Sequence, residues 1–385
     1  MGSAPPRGYS TIEDDARSDR QQQRRWRILE SERLLLLLLV LFAVAIPQLT
    51  ATFKSFPTPT LSVNERIVLD KLQLKCDRLA MRPAPPASFS DRTHSDRFVE
   101  GTPPYLLKNV TVWSGEDKGN ELLENYDVLI SNGLITYAAL HRGLCCTYTM
   151  HTRTLGSKIS DHPKETIVVE GHGAYLTPGI FDVHSHLGVD AAPSTDGADD
   201  TNSFQKPILP YLRSLDGINT HDLAFKRSMS GGVTSSLILP GSANNIGGQA
   251  FVIKLRPVKG NTPDEMVLEM PYNVLGEEHW KAGDPPRHRH MKAACGENIK
   301  RVYKQVRMDL AWNFRSSFEK ARSIKIAQDD FCAKVKPGSR FGLEEKYPEE
   351  LDWEALVDLL RGKVLLNAHC YEVSRSSCSL SSTVG

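Results

Sequence analysis

The segment Thr177-Pro-Gly-Ile-Phe-Asp-Val-His-Ser-His-Leu-Gly188 narrows the folds open to this chain more than any other stretch. The apolar run from Ile180 to Val183 reads as a strand, and it leads directly into His184 and His186. Side chains at i and i+2 of a strand point to the same face. Both imidazoles are therefore expected on one side of a strand end, close enough to share or flank a metal ion. Imidazole suits zinc and related divalent ions, and a catalytic site combines about three protein ligands with an open position for water.

Beyond His186 the chain alternates strand and helix candidates, as βα units require. Gly231–Pro240 reads as a strand with a glycine entry, and Ala250–Leu255 and Met266–Glu269 are further β-like runs. Asp309–Phe331 carries apolar residues at helical spacing without Gly or Pro, which predicts one long helix. Leu351–Leu360 is another helix, and after Gly362 it feeds Val364-Leu-Leu-Asn-Ala-His369, again an apolar strand ending in histidine. Ahead of the histidine pair, Tyr105–Trp113, Asp127–Ile130 and Ile167–Val169 are short β-like runs. Asn132-Gly133 between such runs is a strong hairpin signal. Thr136–Ser160 lacks any period and reads as a loop insertion or as foreign to the native coding sequence.

The stretch Pro178-Gly-Ile-Phe-Asp-Val-His-Ser-His186 resembles the first barrel strand of the amidohydrolase superfamily, in particular its imidazolonepropionase-like group. The resemblance covers about residues 105–373 and is also carried by Gly231-Gly-Val-Thr234, Ala294-Cys-Gly-Glu-Asn298 and Asn367-Ala-His369. It implies an α/β fold: a TIM-type (β/α) barrel over 177–373, incomplete at five strands or so, after a small N-terminal β-sandwich over 105–176. In such barrels the working residues gather at the C-terminal ends of strands. The resemblance thus implies His184, His186 and His369 as metal ligands, although His369 also reads as a buried structural histidine. It implies a bridging ligand from a middle strand, with Glu297 first, in a catalytic role too, and Lys292, carboxylated on its amine, as the alternative.

Other candidates are less specific. Arg213 and His221 lie in a stretch resembling the one that follows the first metal strand in an imidazolonepropionase-like subgroup; either is a candidate substrate contact there, and both read equally as structural ion partners. In Ser242–Gln249, Gly247-Gly248 permits close backbone approach while Asn244 and Gln249 offer hydrogen bonds to a polar substrate. A plain connecting turn accounts for that segment as well.

The chemistry implied is hydrolysis of a non-peptide carbon–nitrogen bond in a small molecule by water activated on a divalent ion, zinc expected, as one ion or two. An amino-sugar N-deacetylase, of the type in carbohydrate esterase family 9, shares the same metal logic. With 47 basic and 46 acidic side chains, the chain offers no electrostatic case for a nucleic-acid partner. Its 7 cysteines show neither zinc-ribbon spacing nor a small disulfide framework.

The N-terminal region adds a location. Leu34–Phe53 is uncharged and opens on six leucines, near the roughly 20 residues a membrane helix needs. Arg24, Arg25, Arg27 and Arg33 precede it, so positive-inside bias puts residues 1–33, a polar tail expected to be disordered, in the cytosol. The expectation is a single-pass signal anchor over 34–53, a stem over 54–104, and the bulk of the chain luminal or extracellular. A cleaved signal peptide is the rival. Asn109-Val-Thr111 is a glycosylation sequon that the luminal side would use. Residues 374–385 are low in complexity and unlike a barrel helix, which predicts an aberrant or disordered tail. An inactive truncated fragment is thus a third reading of this polypeptide.

Overall fold

The structure is a computed structural model that describes residues 61–85, 87–95, 97–141, 165–268, 285–336 and 340–371. The run at 34–53, most of the aperiodic insertion and the Ser-rich tail lie outside the described residues. Contacts divide the chain into two units, 1–67 and 68–385. The described part of the first unit, 61–67, begins helix α1 (Val63–Ala80). Its start is a capping box: Ser62 N–H donates to Glu65 Oε2 at 2.8 Å and Glu65 N–H to Ser62 Oγ at 3.3 Å. Among the described residues no helix is long and apolar enough to cross a membrane.

Within the second unit, β1 (Tyr105–Trp113), β2 (Leu122–Ser131), β3 (Leu134–Leu140), β4 (Ile167–Glu170) and β5 (Tyr175–Leu176) make one sheet. Its order is β3-β2-β1-β4, with β5 also on β1. β2 and β3 are joined by Asn132-Gly133, both with positive φ (53° and 72°), as a two-residue hairpin of the type I′ kind requires. Leu106, Val110 and Val128 are its buried apolar residues. Where a two-layer sandwich is expected, the described residues form this single sheet.

The second sheet holds β6 (Ile180–Ser185), β7 (Val233–Ile238), β8 (Ile246–Lys254), β9 (Arg289–Cys295) and β10 (Val364–Cys370), in the order β10-β9-β8-β7-β6. β6 and β7 are parallel, as are β9 and β10. β8 runs antiparallel to both of its neighbours, so the sheet is mixed, whereas the strands of the TIM-type barrel expected above are all parallel. The reason is the short link from Leu239 to Asn245. A parallel return needs a crossover of about a dozen residues or more, so the chain turns straight back. The β-like run at Met266–Glu269 is described as far as Leu268 and is corrected at its start. Pro263–Met266 forms one helical turn with proline at its start, and Val267 makes an isolated bridge to Ile253.

The helices of this unit are α2 (Leu223–Ser230), α3 (Pro263–Met266), α4 (Glu297–Tyr303), α5 (Arg307–Lys334), α6 (Phe341–Glu344) and α7 (Glu354–Leu360). In α5, Phe314, Phe318, Ala321 and Ile324 follow the helical period and pack on Ile246, Met291, Ala293, Leu356 and Val364. Burying each large apolar side chain contributes about 1.5–3 kcal/mol. Arg289, at the start of β9, pairs with Glu354 (2.8 Å) and Asp358 (2.7 Å) of α7 and so locks the helix to the strand. Leu72 and Cys76, one turn apart on α1, pack against Phe331, Val335 and Tyr347, and Cys76 is disulfide-bonded to Cys332 of α5.

Candidate active site

His184 sits near the end of β6 and His186 one residue beyond it, with ring centroids 5.4 Å apart and planes at 88°. The leading backbone is held by Asp182, whose Oδ1 accepts from His184 N–H at 3.1 Å. The His186 ring is fixed by its Nδ1–H, which donates to the Leu239 carbonyl at 2.8 Å. That bond leaves the Nε2 lone pair free, as a metal-ligating histidine requires. Leu239 N–H in turn donates to Ser185 carbonyl, tying the end of β7 to the histidine strand.

Lys292, in the middle of β9, is fully buried, and its Nζ lies 3.2 Å from His184 Nε2. Burial alone pushes this amine down to about 8. All three imidazoles are also held below the ordinary histidine value. For each, desolvation is the largest cause and the charge of Lys292 adds to it; His184 also feels His186 and His369. Neutral imidazoles around an amine that readily loses its proton are the donor set a divalent cation requires. His369 Nε2, at the end of β10, is buried without a hydrogen-bond partner. An orphaned buried nitrogen has a missing partner, and a cation fits it. Among the described residues no three His, Cys, Asp or Glu side chains form a ready-made metal cage. Lysine falls outside that set of residue types, and here Lys292 Nζ is within hydrogen-bond distance of His184 Nε2.

The other sequence candidates are placed differently. Glu297 opens α4, is half-exposed, and forms an ion pair with Arg307 at 3.6 Å. Arg213 is forked onto Asp216 at 2.6 and 2.9 Å, beside a short 3-10 turn. His221 is exposed and lies against the Thr220 hydroxyl. Asn244 is buried; its Nδ2 lies within 2.7–2.9 Å of the Ser203 and Lys206 carbonyls and the Tyr303 hydroxyl. Gln249 lies within β8, and its N–H donates to Leu212 carbonyl at 2.7 Å. A Cβ on Gly248, whose φ is +129°, would stand 2.6 Å from that same carbonyl oxygen. The close approach read from the glycine pair is thus to Leu212, on this chain's own backbone. Asn109 sits at an irregularity of β1, and its N–H donates to the buried Asp127 carboxylate at 2.9 Å.

Two features escape a reading of the sequence alone. Tyr371 packs edge-on against His369, with centroids 5.0 Å apart at 89°. Cys295 and Cys370, register partners at the ends of β9 and β10, are disulfide-bonded. The signal for Lys292 was present: it is the one charge in the apolar run Met291–Ala294.

No family model matches the chain. It is 37% identical over 335 residues to "Amidohydrolase tasK" of Hapsidospora irregularis, a match covering 82% of this chain and 31% of that protein. The chain therefore spans about a third of the length of the curated relative it matches. It also resembles the crystal structure of an amidohydrolase from Thermotoga maritima, with a TM-score of 0.54 and 27% identity, over 72% of this chain and 61% of that one. These two likenesses, with the histidine-bearing strand ends, support an amidohydrolase-superfamily assignment.

Proposed function

We propose that this chain is a metal-dependent hydrolase of non-peptide carbon–nitrogen bonds in a small molecule. One observation carries the reading: buried Lys292, in the middle of β9, lies among the imidazoles of His184, His186 and His369 at the ends of β6 and β10, and His369 Nε2 lacks a partner. His184, His186 and His369 would hold one or two divalent ions, zinc in the first instance. When bound, such an ion brings the pKa of a coordinated water towards 7 and polarises a carbonyl oxygen.

The chain's own residues do the rest. The Leu239 carbonyl keeps His186 in the tautomer that presents Nε2. Lys292, rather than Glu297, would complete the ligand set beside the histidines. With its amine pushed down to about 8, a usable share is neutral near pH 7–8. The neutral amine adds carbon dioxide, forming an N–C bond and losing one proton, which makes a carboxylate. Glu297 is left to its pairing with Arg307.

We place this portion of the chain in an oxidising compartment, luminal or extracellular, behind the run at 34–53. The two disulfides, Cys76–Cys332 and Cys295–Cys370, support that placement. The test is elemental analysis of the purified chain, with assays against imidazolones, small cyclic amides and acetylated amino sugars. Bound zinc with turnover of a cyclic amide or imidazolone supports the proposal. Absence of zinc, with no activity after zinc is added, overturns it.

A further inference from the structure

We infer that the Cys295–Cys370 disulfide positions the ligand set, holding Lys292 and His369 in register from the reverse side of the sheet. The inference rests on the metal reading proposed above.

The ladder sets the geometry. Lys292 pairs with Asn367, Ala294 with His369, and Cys295 with Cys370. Because faces alternate along a strand, Lys292, Ala294, Asn367 and His369 share one face, while Ala293, Cys295 and Cys370 lie on the other. Packing agrees: Ala293 and Cys295 belong with Met291, Phe314 and Phe318, on the side covered by α5. The sulfurs therefore stand away from the imidazoles and do not compete with them as ligands. The bond instead joins the two backbones three residues past Lys292 and one past His369, with Cα atoms 5.0 Å apart.

That restraint acts where the ladder is weakest. β10 is the end strand of the described sheet, with β9 on one side of it. Strand ends fray before strand centres, because fewer ladder hydrogen bonds hold them. Ligands must be held within about 0.5 Å of productive geometry. On the site side, His369 is bracketed by the Tyr371 ring, and the Tyr371 hydroxyl donates to Asn298 Oδ1 at 3.1 Å. Asn298 Nδ2 donates to Ser242 Oγ at 2.7 Å, which ties in the turn after β7. His369 is thus gripped from both faces, by a covalent bond behind and a hydrogen-bonded ring in front.

The test measures zinc affinity of the full chain by competition with a chromogenic chelator, and the visible spectrum of its cobalt(II) form. C295A/C370A is compared with C76A/C332A, which removes the other disulfide, remote from the histidines in the ladder. C295V/C370V is measured alongside, since it keeps apolar bulk against α5. The expected result is at least a tenfold loss of zinc affinity, the lower end of what losing supporting groups costs. An altered cobalt spectrum should accompany it in both Cys295/Cys370 variants, with neither change in C76A/C332A. Equal zinc affinity and spectra in wild type and the Cys295/Cys370 variants sink the positioning role and leave the metal reading standing. A wild-type chain that takes up no zinc sinks the metal reading itself, and this inference with it.

Discussion

Lys292 Nζ stands 3.2 Å from His184 Nε2, and no part of Lys292 reaches solvent. A buried amine with an imidazole as its near neighbour is expensive to maintain, since desolvation opposes its charge. A chain under selection for stability alone has no use for that arrangement.

Replacing this lysine therefore separates stability from function. Lys292→Met keeps the length of the side chain and removes the desolvated amine. It should raise stability by about 1–3 kcal/mol while lowering zinc affinity at least about tenfold and abolishing hydrolysis. Thermal melts and zinc titration of the same sample check both halves. A variant that is less stable yet fully active would show that Lys292 serves packing.

The loop that follows His186 hangs on one carboxylate. Buried Asp222 accepts from Gly188 N–H (2.8 Å), Ala192 N–H (3.0 Å) and Ala224 N–H (2.8 Å), the last as the N-cap of α2. Asp222→Ala removes the cap and strands two further donors. The expected loss is about 3–5 kcal/mol, read by urea unfolding. A loss below about 1 kcal/mol would mean that water replaces the carboxylate.

At the opposite end of β9 the Arg289 ion pairs hold α7. Arg289→Met leaves Asp358 with a carboxylate that burial already pushes upward, and Glu354 without its fork. Glu354 is partly solvated, so a loss of about 2–4 kcal/mol is expected. The variant should bind zinc with unchanged affinity at 15 °C, because no histidine is touched. Reduced zinc affinity in folded protein would show that the α7–β9 contact reaches the site.

Removing Cys76–Cys332 tests α1. The bond closes a separation of 256 residues, and C76A/C332A should cost about 2–5 kcal/mol. Activity at 25 °C should be unaffected. Loss of turnover at that temperature would mean that α1 contributes to the site.

Much of this was legible in the residues. Asn132-Gly133 announces its hairpin because few other pairs accept two positive φ values in sequence. Asp309–Phe331 lies inside the observed α5, since the apolar spacing has only one solution. Val364–His369 lies inside the observed β10, which runs on to Cys370. Three features were not legible, each for a physical reason. β8 reverses direction because of the brevity of the Leu239–Asn245 link, while its own composition fits either direction. Lys292 and Glu297 are five residues apart, and which one meets the imidazoles depends on where β9 stops and α4 begins. Cys295 and Cys370 are 75 residues apart in sequence, and their pairing follows from a register that only the assembled ladder defines.

The central claim is that the imidazoles of His184, His186 and His369 take a cation with Lys292. Its most direct test is the zinc content of the purified 385-residue chain beside that of His369→Ala. The account predicts one or two zinc ions per wild-type chain and a clear fall in the variant. No zinc in the wild type, or equal zinc in the two proteins, would contradict it.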